Sequence, residues 1–423
     1  MLSDGTDDLE VVVVGAGAAG IGAAMRLSAA KVSSTVFEAR GRAGGRAYTV
    51  ADAPFPLDLG CGWLHSADRN PWTQIAAEAG FTIDKTVPAW GTQSFDLGFS
   101  AEDQAAFALA SRRFHERLEA VAPNDTDFAA ADLLELQCRF NPLLNAISSY
   151  VNGVELDLVS VQDSNRYADT GVNWRVAEGY GTVAAQAAGL PIRLGCPVTL
   201  IDHRKKRLAI ETVLGTVTAD AVILTVPTPL IAAQGIRFRP DLTDKVGAAS
   251  VLPLGLADKL VMAVDTPEML PVDGHLIGNP NKTATGSYHL RPFGRPLIEG
   301  FFGGRLAHEL EAAGGGAFFD FAATELTSLL GRDVCAHLRP LAETNWARDP
   351  LAQGSYSYAL PDHADARATL AAPVDERLFF AGEACSRHDF STAHGAYLTG
   401  IEAADEVIAL RPRGIRHPKA VTF

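Results

Sequence analysis

The amino-acid sequence predicts an α/β protein with a Rossmann-like dinucleotide-binding unit and a second, inserted unit. The chain has 423 residues, which is too many for one simple core. A continuous run of β-branched residues near the N-terminus leads into a glycine-rich turn. A second buried strand, followed by a helix with a small-residue face, is predicted near the C-terminus. Two domains, or one domain with large insertions, are therefore expected.

The composition is that of an ordinary soluble globular protein, with 47% hydrophobic and 20% charged residues. No run approaches 18 apolar residues, so no membrane span is expected. The net charge of −14 argues against nucleic-acid binding through a basic surface. An acidic protein can steer cationic ligands toward itself, although acidity for solubility alone is the simpler interpretation.

The five cysteines are odd in number, widely spaced and without a C-x-x-C pair. This usage argues against a disulfide framework or a structural zinc site, and we expect no metal and a cytoplasmic location. The acidic N-terminal stretch MLSDGTDDLE also lacks the basic-then-apolar order of a signal peptide.

The first part of the chain contains the parts of a dinucleotide-binding unit in the expected order. A buried strand over 11–14 is followed by the G-x-G-x-x-G pattern of Gly15, Gly17 and Gly20. The first glycine permits a tight turn, the second lets a pyrophosphate approach, and the third lets the helix pack close to the strand. The N-terminus of that helix, around Ala19, offers free N–H groups to the phosphates.

Charged residues follow the second predicted strand, which covers residues 35–37. Glu38 closes this strand, where a carboxylate can hold the ribose hydroxyls of an adenosine and disfavours a 2′-phosphate. The segment EARGRAGGR then supplies Arg40, Arg42 and Arg46, and guanidinium groups can clamp pyrophosphate oxygens. Two adjacent glycines in this segment allow the backbone to come close to a ligand.

A second glycine-rich turn lies in PLDLGCGWLH, which includes Gly60, Gly62, Trp63 and His65. Such a turn suits backbone packed against a flat ring. The run FEARGRAGGRAYT…DLGCGWLHS resembles the flavin-containing amine oxidases, namely the monoamine oxidases, polyamine oxidases and related amino-acid oxidases. In that family FAD lies along this segment, which also contains Ala39.

The resemblance implies a Rossmann-like FAD-binding domain of the amine-oxidase (GR2) type with an inserted α+β substrate domain. The FAD-binding domain is expected to be discontinuous, over 1–75, 189–260 and 365–423. The substrate-binding domain is expected over 76–188 and 261–364.

Other positions match the family's cofactor site. Val198 matches the position whose backbone meets the adenine. Gly382 and Glu383 follow a predicted strand, and Glu383 matches the residue that contacts the ribitol and pyrophosphate region. The last helix is predicted to begin near Thr392, and the resemblance directs its N-terminus, at Ala393, toward the flavin ring.

The segment 343–362 carries the family's W-x-x-D-P-x-x-x-G-S-Y-S-Y pattern. Trp346 and Tyr356 match aromatic positions near the isoalloxazine, and Tyr397 matches a second aromatic. The resemblance implies that the two tyrosines form an aromatic cage, whose π faces tolerate a cationic group. Ser355 stands where some monoamine oxidases carry the cysteine attached to the flavin, so non-covalent FAD is expected.

The stretch PLGLADKLVMAV at 253–264 predicts an apolar strand with Lys259 in its middle. An edge-strand lysine that faces water is the simplest interpretation. The resemblance instead matches Lys259 with the lysine that reaches flavin N5 through a water, and burial there should lower its pKa. Trp63 is expected to pack near the flavin, and His65 is a candidate substrate contact.

The implied reaction is an FAD-dependent oxidation in which hydride moves from the α-carbon of an amine to flavin N5. The imine is hydrolysed to a carbonyl compound, and O2 accepts the electrons to give hydrogen peroxide. The expected partners are a small amine and O2, without nucleic acid or membrane, and a homodimer is left open.

A desaturase acting on a C–C bond is one alternative function. An L-amino-acid oxidase is another, and it would need a carboxylate-binding arginine, for which the candidates are Arg112, Arg113, Arg139, Arg166 and Arg175.

Overall fold

The computed structural model describes residues 10–51, 54–186 and 190–410. The strands in these ranges are β1 Glu10–Val14, β2 Ser33–Phe37, β3 Thr49–Val50, β4 Leu57–Asp58, β5 Ile83–Asp84, β6 Arg175–Val176, β7 Ile192–Arg193, β8 Val198–Asp202, β9 Leu208–Thr212, β10 Gly215–Ala219, β11 Ala221–Leu224, β12 Arg237–Arg239, β13 Leu254–Gly255, β14 Ala257–Val264, β15 Gly274–Ile277, β16 Ser287–Leu290, β17 Leu297–Gly303, β18 Leu338–Glu343, β19 Tyr356–Ser357 and β20 Leu378–Phe380.

The α-helices are α1 Ala18–Ala29, α2 Pro71–Glu78, α3 Ala101–Glu119, α4 Asn141–Val151, α5 Val161–Arg166, α6 Tyr180–Ala185, α7 Thr228–Ala232, α8 Thr243–Ser250, α9 Gly304–Ala313, α10 Ala317–Leu330, α11 Arg332–Cys335, α12 Ala366–Ala371 and α13 Ala393–Ala409. Short 3-10 turns cover Ser94–Asp96, Ala130–Leu133, Leu156–Leu158, Pro267–Met269, Pro292–Gly294 and Glu383–Cys385. Within the described ranges, no helix is both long enough and apolar enough to cross a membrane.

A five-stranded parallel sheet with the order β20-β11-β1-β2-β7 forms the Rossmann-like unit. Its strands come from widely separated parts of the chain. In β1, Val11 and Val13 enter one core cluster while Val12 and Val14 enter another, so the strand is buried on both faces. This explains the continuous apolar run and confirms the predicted fold class.

Helices α1 and α13 lie against each other beside this sheet. A Cβ on Gly400 would overlap the carbonyl oxygen of Ala19, and one on Gly22 would crowd the carbonyl oxygen of Tyr397. The small residues on these helices therefore allow the two backbones to come close together. This contact joins the N-terminal and C-terminal parts of the Rossmann-like unit.

An antiparallel sheet with the order β15-β16-β17-β14-β18 forms the second unit. Strand β14, which carries Lys259, pairs with β17 on one side and with β18 on the other. The edge-strand interpretation of Lys259 is therefore wrong. Opposed residues of antiparallel strands share a face, so Lys259 lies beside Phe301, and Val261 beside Glu299.

Helices α9 and α10 contribute to the core that covers one side of the antiparallel sheet. The predicted domain boundary between residues 260 and 261 falls inside β14. This strand belongs as a whole to the antiparallel sheet, with Lys259 directed out of it.

Candidate active site

The first glycine-rich turn is packed backbone against backbone. Gly15 has φ +103° and donates its N–H to the carbonyl of Phe37 at 2.8 Å. A Cβ on Gly20 would overlap the carbonyl oxygen of Gly15, and a Cβ on Gly45 would lie 3.1 Å from Cα of Gly17. Gly17 caps α1 without a side-chain hydrogen bond, so the N–H groups of the first turn, including that of Ala19, have no side-chain acceptor. An anion can bind there.

Glu38 lies buried at the end of β2. Its Oε2 accepts the N–H of Ala16 at 2.7 Å, and its Oε1 accepts that of Arg40 at 2.8 Å. Ala39 lies between them in the half-buried loop. The carbonyl of Glu38 accepts the N–H of Cys196, two residues before the buried Val198. The predicted ribose-binding and adenine-binding positions therefore lie close together.

The arginines after Glu38 have different partners. Arg40 donates to both carboxylate oxygens of Asp349, at 2.8 and 2.9 Å, so its guanidinium is directed at the W-x-x-D-P segment. Arg46 donates to the carbonyl of Ser355 at 2.6 Å and to Glu383 at 2.9 Å. Arg42 lies over the ring of Tyr48. Because Asp349 already binds the Arg40 guanidinium, the prediction that Arg40 clamps the pyrophosphate is weakened. Arg46 connects the segments of Ser355 and Glu383, which are both predicted to lie at the cofactor.

Glu383 is buried at the end of β20. It accepts hydrogen bonds from the Ser357 hydroxyl at 2.6 Å and from the Ser391 N–H at 3.1 Å, besides that from Arg46. Burial alone would raise the pKa of Glu383, but Arg46, Ser357 and Arg367 outweigh it and lower this pKa. The carboxylate therefore stays ionised.

The donor set and the open space fit FAD. Gly382 has φ +148°, and a Cβ built on it would meet no atom within 4 Å. The glycine thus borders open space beside Glu383, and its N–H donates to the Thr399 hydroxyl at 3.0 Å in α13, the helix that begins at Ala393. Free N–H groups at α1, the carboxylate of Glu38 and this glycine are arranged as an adenine dinucleotide requires. These residues would hold the adenosine, the pyrophosphate and the ribitol.

Lys259 is held against the second glycine-rich turn. Its Nζ donates to the carbonyls of Gly60 at 2.6 Å and Asp58 at 2.8 Å. A Cβ on Gly60 would overlap the carbonyl of Arg46, and one on Gly62 would lie 3.3 Å from the lysine Nζ. The turn therefore has room only for glycine at position 60.

Burial of the Lys259 amine lowers its pKa from the ordinary 10.5. The carboxylates of Glu299 and Asp58 oppose this shift, while the charge of Arg175 adds to it. The predicted direction of the shift is thus present in the structure. Lys259 loses its proton more readily than a lysine in water.

Trp346 supports the same turn from the other side. Its indole Nε1–H donates to the carbonyl of Leu59 at 3.2 Å, and its ring is buried in the core of the antiparallel sheet. Trp346 thus contacts the backbone that holds Lys259. The sequence predicted that Trp346 lies near the isoalloxazine. In the structure, its indole instead supports the backbone of the glycine-rich turn.

Tyr356 begins β19, which pairs with β13 next to β14. Its hydroxyl donates to the carbonyl of Tyr150, and burial raises its pKa. The preceding Ser355 exchanges hydrogen bonds of 2.9 Å with both backbone groups of Ala257. Tyr356 therefore follows a residue that is hydrogen-bonded both to the lysine strand and to Arg46.

The prediction that Tyr397 faces Tyr356 in a cage is wrong. On α13, Tyr397 shares its helix face with Gly400, and that face packs on α1. The Tyr397 ring lies 4.9 Å from that of Trp72, and its hydroxyl points to the sulfur of Met25 at 3.9 Å. Helical periodicity therefore directs this side chain between the two helices.

Trp63 and His65 belong to an aromatic cluster beside the turn. The ring of Trp63 lies 4.7 Å from that of Trp90, edge to face, and stacks at 6.0 Å on His289. His65 Nδ1 pairs with the Asn173 side-chain oxygen at 2.7 Å, and burial lowers its pKa. The imidazole is therefore neutral and already has a partner.

The chain is similar to known proteins over most of its length. The family model described as flavin containing amine oxidoreductase matches residues 97–408, which is more than half of the chain. The chain belongs to this family. A model of the NAD(P)-binding Rossmann-like domain matches residues 13–79. The protein is accordingly an FAD-dependent amine oxidoreductase, as the sequence predicted.

The relatives of this amine oxidoreductase include proteins named as oxidases of polyamines and of putrescine. "Polyamine oxidase 4" of Oryza sativa subsp. japonica is 31% identical, with 94% of this chain and 88% of the relative covered. "Polyamine oxidase 2" of Arabidopsis thaliana is 29% identical, with 94% and 87% covered. A solved structure of a putrescine oxidase double mutant superimposes with a TM-score of 0.77 at 19% identity. It covers 95% of this chain and 99% of that chain, which shows a shared fold.

The amine oxidoreductase site also contains charged residues that the sequence prediction missed or left without a role. Arg175 donates to both oxygens of Glu299 at 3.0 Å, and its Nη1 lies 3.2 Å from Nδ1 of His289. Its guanidinium lies over the ring of Trp63. Burial would raise the pKa of Glu299, but Arg175 and His289 lower it.

A signal for Glu299 exists in the sequence. It is a charged residue within an apolar strand, as Lys259 is, and its register places it on the same sheet face. Arg175 lies far away in the chain on the two-residue strand β6, so nothing local predicts their pairing.

Proposed function

We propose that this amine oxidoreductase is an oxidase of aliphatic amines of the polyamine class, with O2 as acceptor and hydrogen peroxide as product. The observation that carries the proposal is Lys259, held in the middle of a central strand against two carbonyls of a glycine-rich turn. The relatives named polyamine oxidases support the substrate class. The net charge of −14 favours a cationic substrate.

FAD, when bound, supplies the electron-accepting ring chemistry. The protein's part begins with Lys259, whose lowered pKa favours the neutral amine. A neutral amine has two N–H donors and one lone pair. With both donors directed at the carbonyls of Asp58 and Gly60, the lone pair remains to accept a proton from a water molecule. Lys259 is therefore proposed as the proton-exchanging group of the site.

Aromatic side chains orient the substrate in this proposal. The Tyr356 hydroxyl is already bound to the carbonyl of Tyr150, so its ring serves as a wall. Phe301 lies opposite Lys259 on β17, and the ring of Trp63 packs against Arg175. An apolar, aromatic wall excludes water and accepts an amine through its π faces. His65 is proposed as a structural residue because Asn173 and burial keep it neutral.

The amino-acid oxidase alternative is disfavoured by the partners of the candidate arginines. Arg175 is neutralised by Glu299, while Arg139 pairs with Asp103 and Arg166 with Asp365. Arg112 and Arg113 are exposed on α3. None of the five therefore offers an uncommitted guanidinium at the site, although a carboxylate substrate needs one.

Three further points complete the proposal. FAD is bound non-covalently, because Ser355 has no thiol to form the link. The division into an FAD-binding domain (1–75, 189–260, 365–423) and a substrate-binding domain (76–188, 261–364) is proposed with one change: the boundary at 260/261 moves ahead of β14, so that this strand stays with its sheet. A cytoplasmic location agrees with the five free cysteines.

The experiment is a substrate screen on the purified yellow protein. Polyamines, monoamines and L-amino acids are each mixed with it, and peroxide release and anaerobic bleaching of the flavin are recorded. Polyamines are expected to bleach the flavin fastest and to release peroxide on re-aeration. Bleaching by L-amino acids alone would overturn the substrate class, and bleaching without peroxide would overturn the acceptor.

A further inference from the structure

Two acidic side chains lie buried directly behind the lysine strand. Asp258 precedes Lys259 on β14 and therefore points to the opposite face of the sheet. There it meets Glu311 of α9. The two residues are 1% and 2% exposed. No role in amine oxidation follows from their position alone, and no motif in the sequence singles them out.

Each carboxyl has one oxygen bound and one oxygen without a protein partner. Asp258 Oδ1 accepts the Thr344 hydroxyl at 2.6 Å and the Trp346 N–H at 3.2 Å. Glu311 Oε1 accepts the Ala347 N–H at 3.0 Å. Asp258 Oδ2 and Glu311 Oε2 are buried and have no hydrogen-bond donor among the described residues.

No cationic side chain neutralises this pair of carboxyl groups in the described part of the chain. The charged neighbour of Asp258 is Glu311 itself, and no lysine, arginine or histidine forms an ion pair with either carboxyl in the described part of the chain. The neighbouring groups from β18 onward are the uncharged Thr344 and Trp346 and the phenol of Tyr356, whose pKa is raised by burial and by the charge of Asp258. Two adjacent buried carboxylates cannot both be ionised without a cation.

We propose that Asp258 and Glu311 share one proton in a carboxylic acid–carboxylate hydrogen bond, and that this pair positions Lys259 and Trp346 for amine oxidation. The proton joins Asp258 Oδ2 to Glu311 Oε2 and satisfies both oxygens. The pair carries a single negative charge, which the backbone N–H groups of Trp346 and Ala347 and the Thr344 hydroxyl stabilise.

The link from the pair to the lysine runs through Thr344. The Thr344 N–H donates to the carbonyl of Lys259 at 2.9 Å, and the Thr344 hydroxyl oxygen accepts the Lys259 N–H at 2.8 Å. Because this hydroxyl donates to Asp258, the carboxyl orients the group that holds both backbone atoms of Lys259. The Trp346 N–H is bound to the same oxygen, and its indole supports the turn at Leu59. Asp258 and Glu311 are thus positioning residues, and their effect on turnover depends on the proposed function.

The shared proton predicts a pH dependence of stability. Burial, followed by Glu311, raises the pKa of Asp258 to about 8. Between about pH 4 and that value the folded protein keeps a proton that the unfolded chain releases, so stability falls as pH rises through this window. Above about pH 8 the pair carries two charges, and the Thr344 and Trp346 contacts weaken.

A double-mutant cycle on the holoenzyme tests the shared proton without any substrate. In Asp258→Asn, the amide N–H replaces the proton and donates to Glu311, while the amide oxygen still accepts from Thr344. In Glu311→Gln, the amide N–H donates to Asp258, while the amide oxygen still accepts from the Ala347 N–H. In the double variant two NH2 groups face each other, because both amide oxygens are needed by the backbone donors.

Near pH 5, the expected result is that each single variant unfolds close to the wild-type temperature, while the double variant loses more than the sum of the two single shifts. As the pH rises to about 8, Asp258→Asn should become more stable relative to the wild type, and the difference should then level off. The shared proton is overturned if the unfolding temperature of the double variant falls by no more than the sum of the two single shifts. Asp157→Asn, at an exposed carboxylate, is the matched control.

The positioning role is tested by anaerobic reduction of the bound flavin by an amine. Asp258→Leu removes the acceptor of the Thr344 hydroxyl and should lower the limiting rate of reduction about tenfold while leaving the Kd of the amine nearly unchanged. Asp258→Asn should restore the rate and flatten its decline above about pH 8. Asparagine that restores nothing overturns the positioning role. Because the stability cycle needs no amine, its result stands even where no amine reduces the flavin.

Discussion

The two sheets hold their functional residues by different means. Around the parallel sheet, residue types are set by backbone packing: Gly20 against Gly15, and Gly400 against Ala19. Around the antiparallel sheet, they are set by side-chain networks such as Arg175–Glu299 and the Lys259 contacts. Backbone packing tolerates only glycine and leaves a local motif. A side-chain network can be built from many residue types at distant positions, and it leaves little trace in sequence.

The largest expected effect comes from breaking the backbone packing. In Gly20→Ala the added methyl group would overlap the carbonyl oxygen of Gly15, so α1 must move away from the turn. The purified variant should contain less than about a tenth of the wild-type flavin per protein, measured by visible absorbance. Gly247→Ala is the control, since its Cβ meets no atom within 4 Å and α8 should tolerate it. Full flavin content in Gly20→Ala would remove the packing explanation.

A buried ion pair joins α5 to α12. Arg367 donates to both oxygens of Asp163, at 2.7 and 2.8 Å, and both side chains are buried. Asp163→Ala removes the bidentate carboxylate partner of this buried guanidinium and should lower the free energy of unfolding by about 3–5 kcal/mol. Denaturant titration measures the change.

The matched control for that ion pair is Asp157→Ala, which removes the exposed partner of Arg305. It should change the free energy of unfolding by at most about 1 kcal/mol. Equal losses in the two variants would show that burial does not decide the strength of these pairs.

The lowered pKa of Lys259 predicts a pH-dependent stability. Because burial lowers the pKa in the folded state, the unfolded chain binds the proton more tightly, and stability rises with pH through the window below 10.5. Lys259→Met removes this pH-dependent contribution, so its unfolding temperature relative to the wild type should fall as the pH rises from about 6 toward 10. Thermal scans across this range measure the difference. A difference that does not change with pH would contradict the shifted lysine.

The smallest expected effect belongs to Tyr397. Its hydroxyl contacts only the Met25 sulfur at 3.9 Å among the hydrogen bonds described, so Tyr397→Phe should leave turnover within about twofold of wild type. Tyr356→Phe, which loses the bond to Tyr150, is the comparison and should be slower. A large loss of kcat in Tyr397→Phe would return this residue to the substrate site.

Much of the cofactor half was predictable, for reasons visible in single residues. Strand β1, the glycine turn, Glu38 and the start of α13 lie where the sequence predicted them, because each depends on local backbone geometry. The prediction for Tyr397 failed because a sequence motif does not say which face of a helix a residue occupies. Only the packing of α13 on α1 decides where the Tyr397 ring points. The partners of Arg175 and Asp258 lie 124 and 53 positions away, so no local pattern predicts them.

Lys259 tests the account most directly, through a substitution that keeps the cofactor site intact. Lys259→Met leaves Glu38, Glu383 and the glycine turns unchanged, so the variant should purify with wild-type flavin content. Its turnover with the best amine should fall at least about tenfold, because no lone pair remains beside the turn to accept a proton. Lys206→Met, at an exposed lysine, should match the wild type. A Lys259→Met protein that keeps its flavin and turns over amine at the wild-type rate would contradict the central role of this residue.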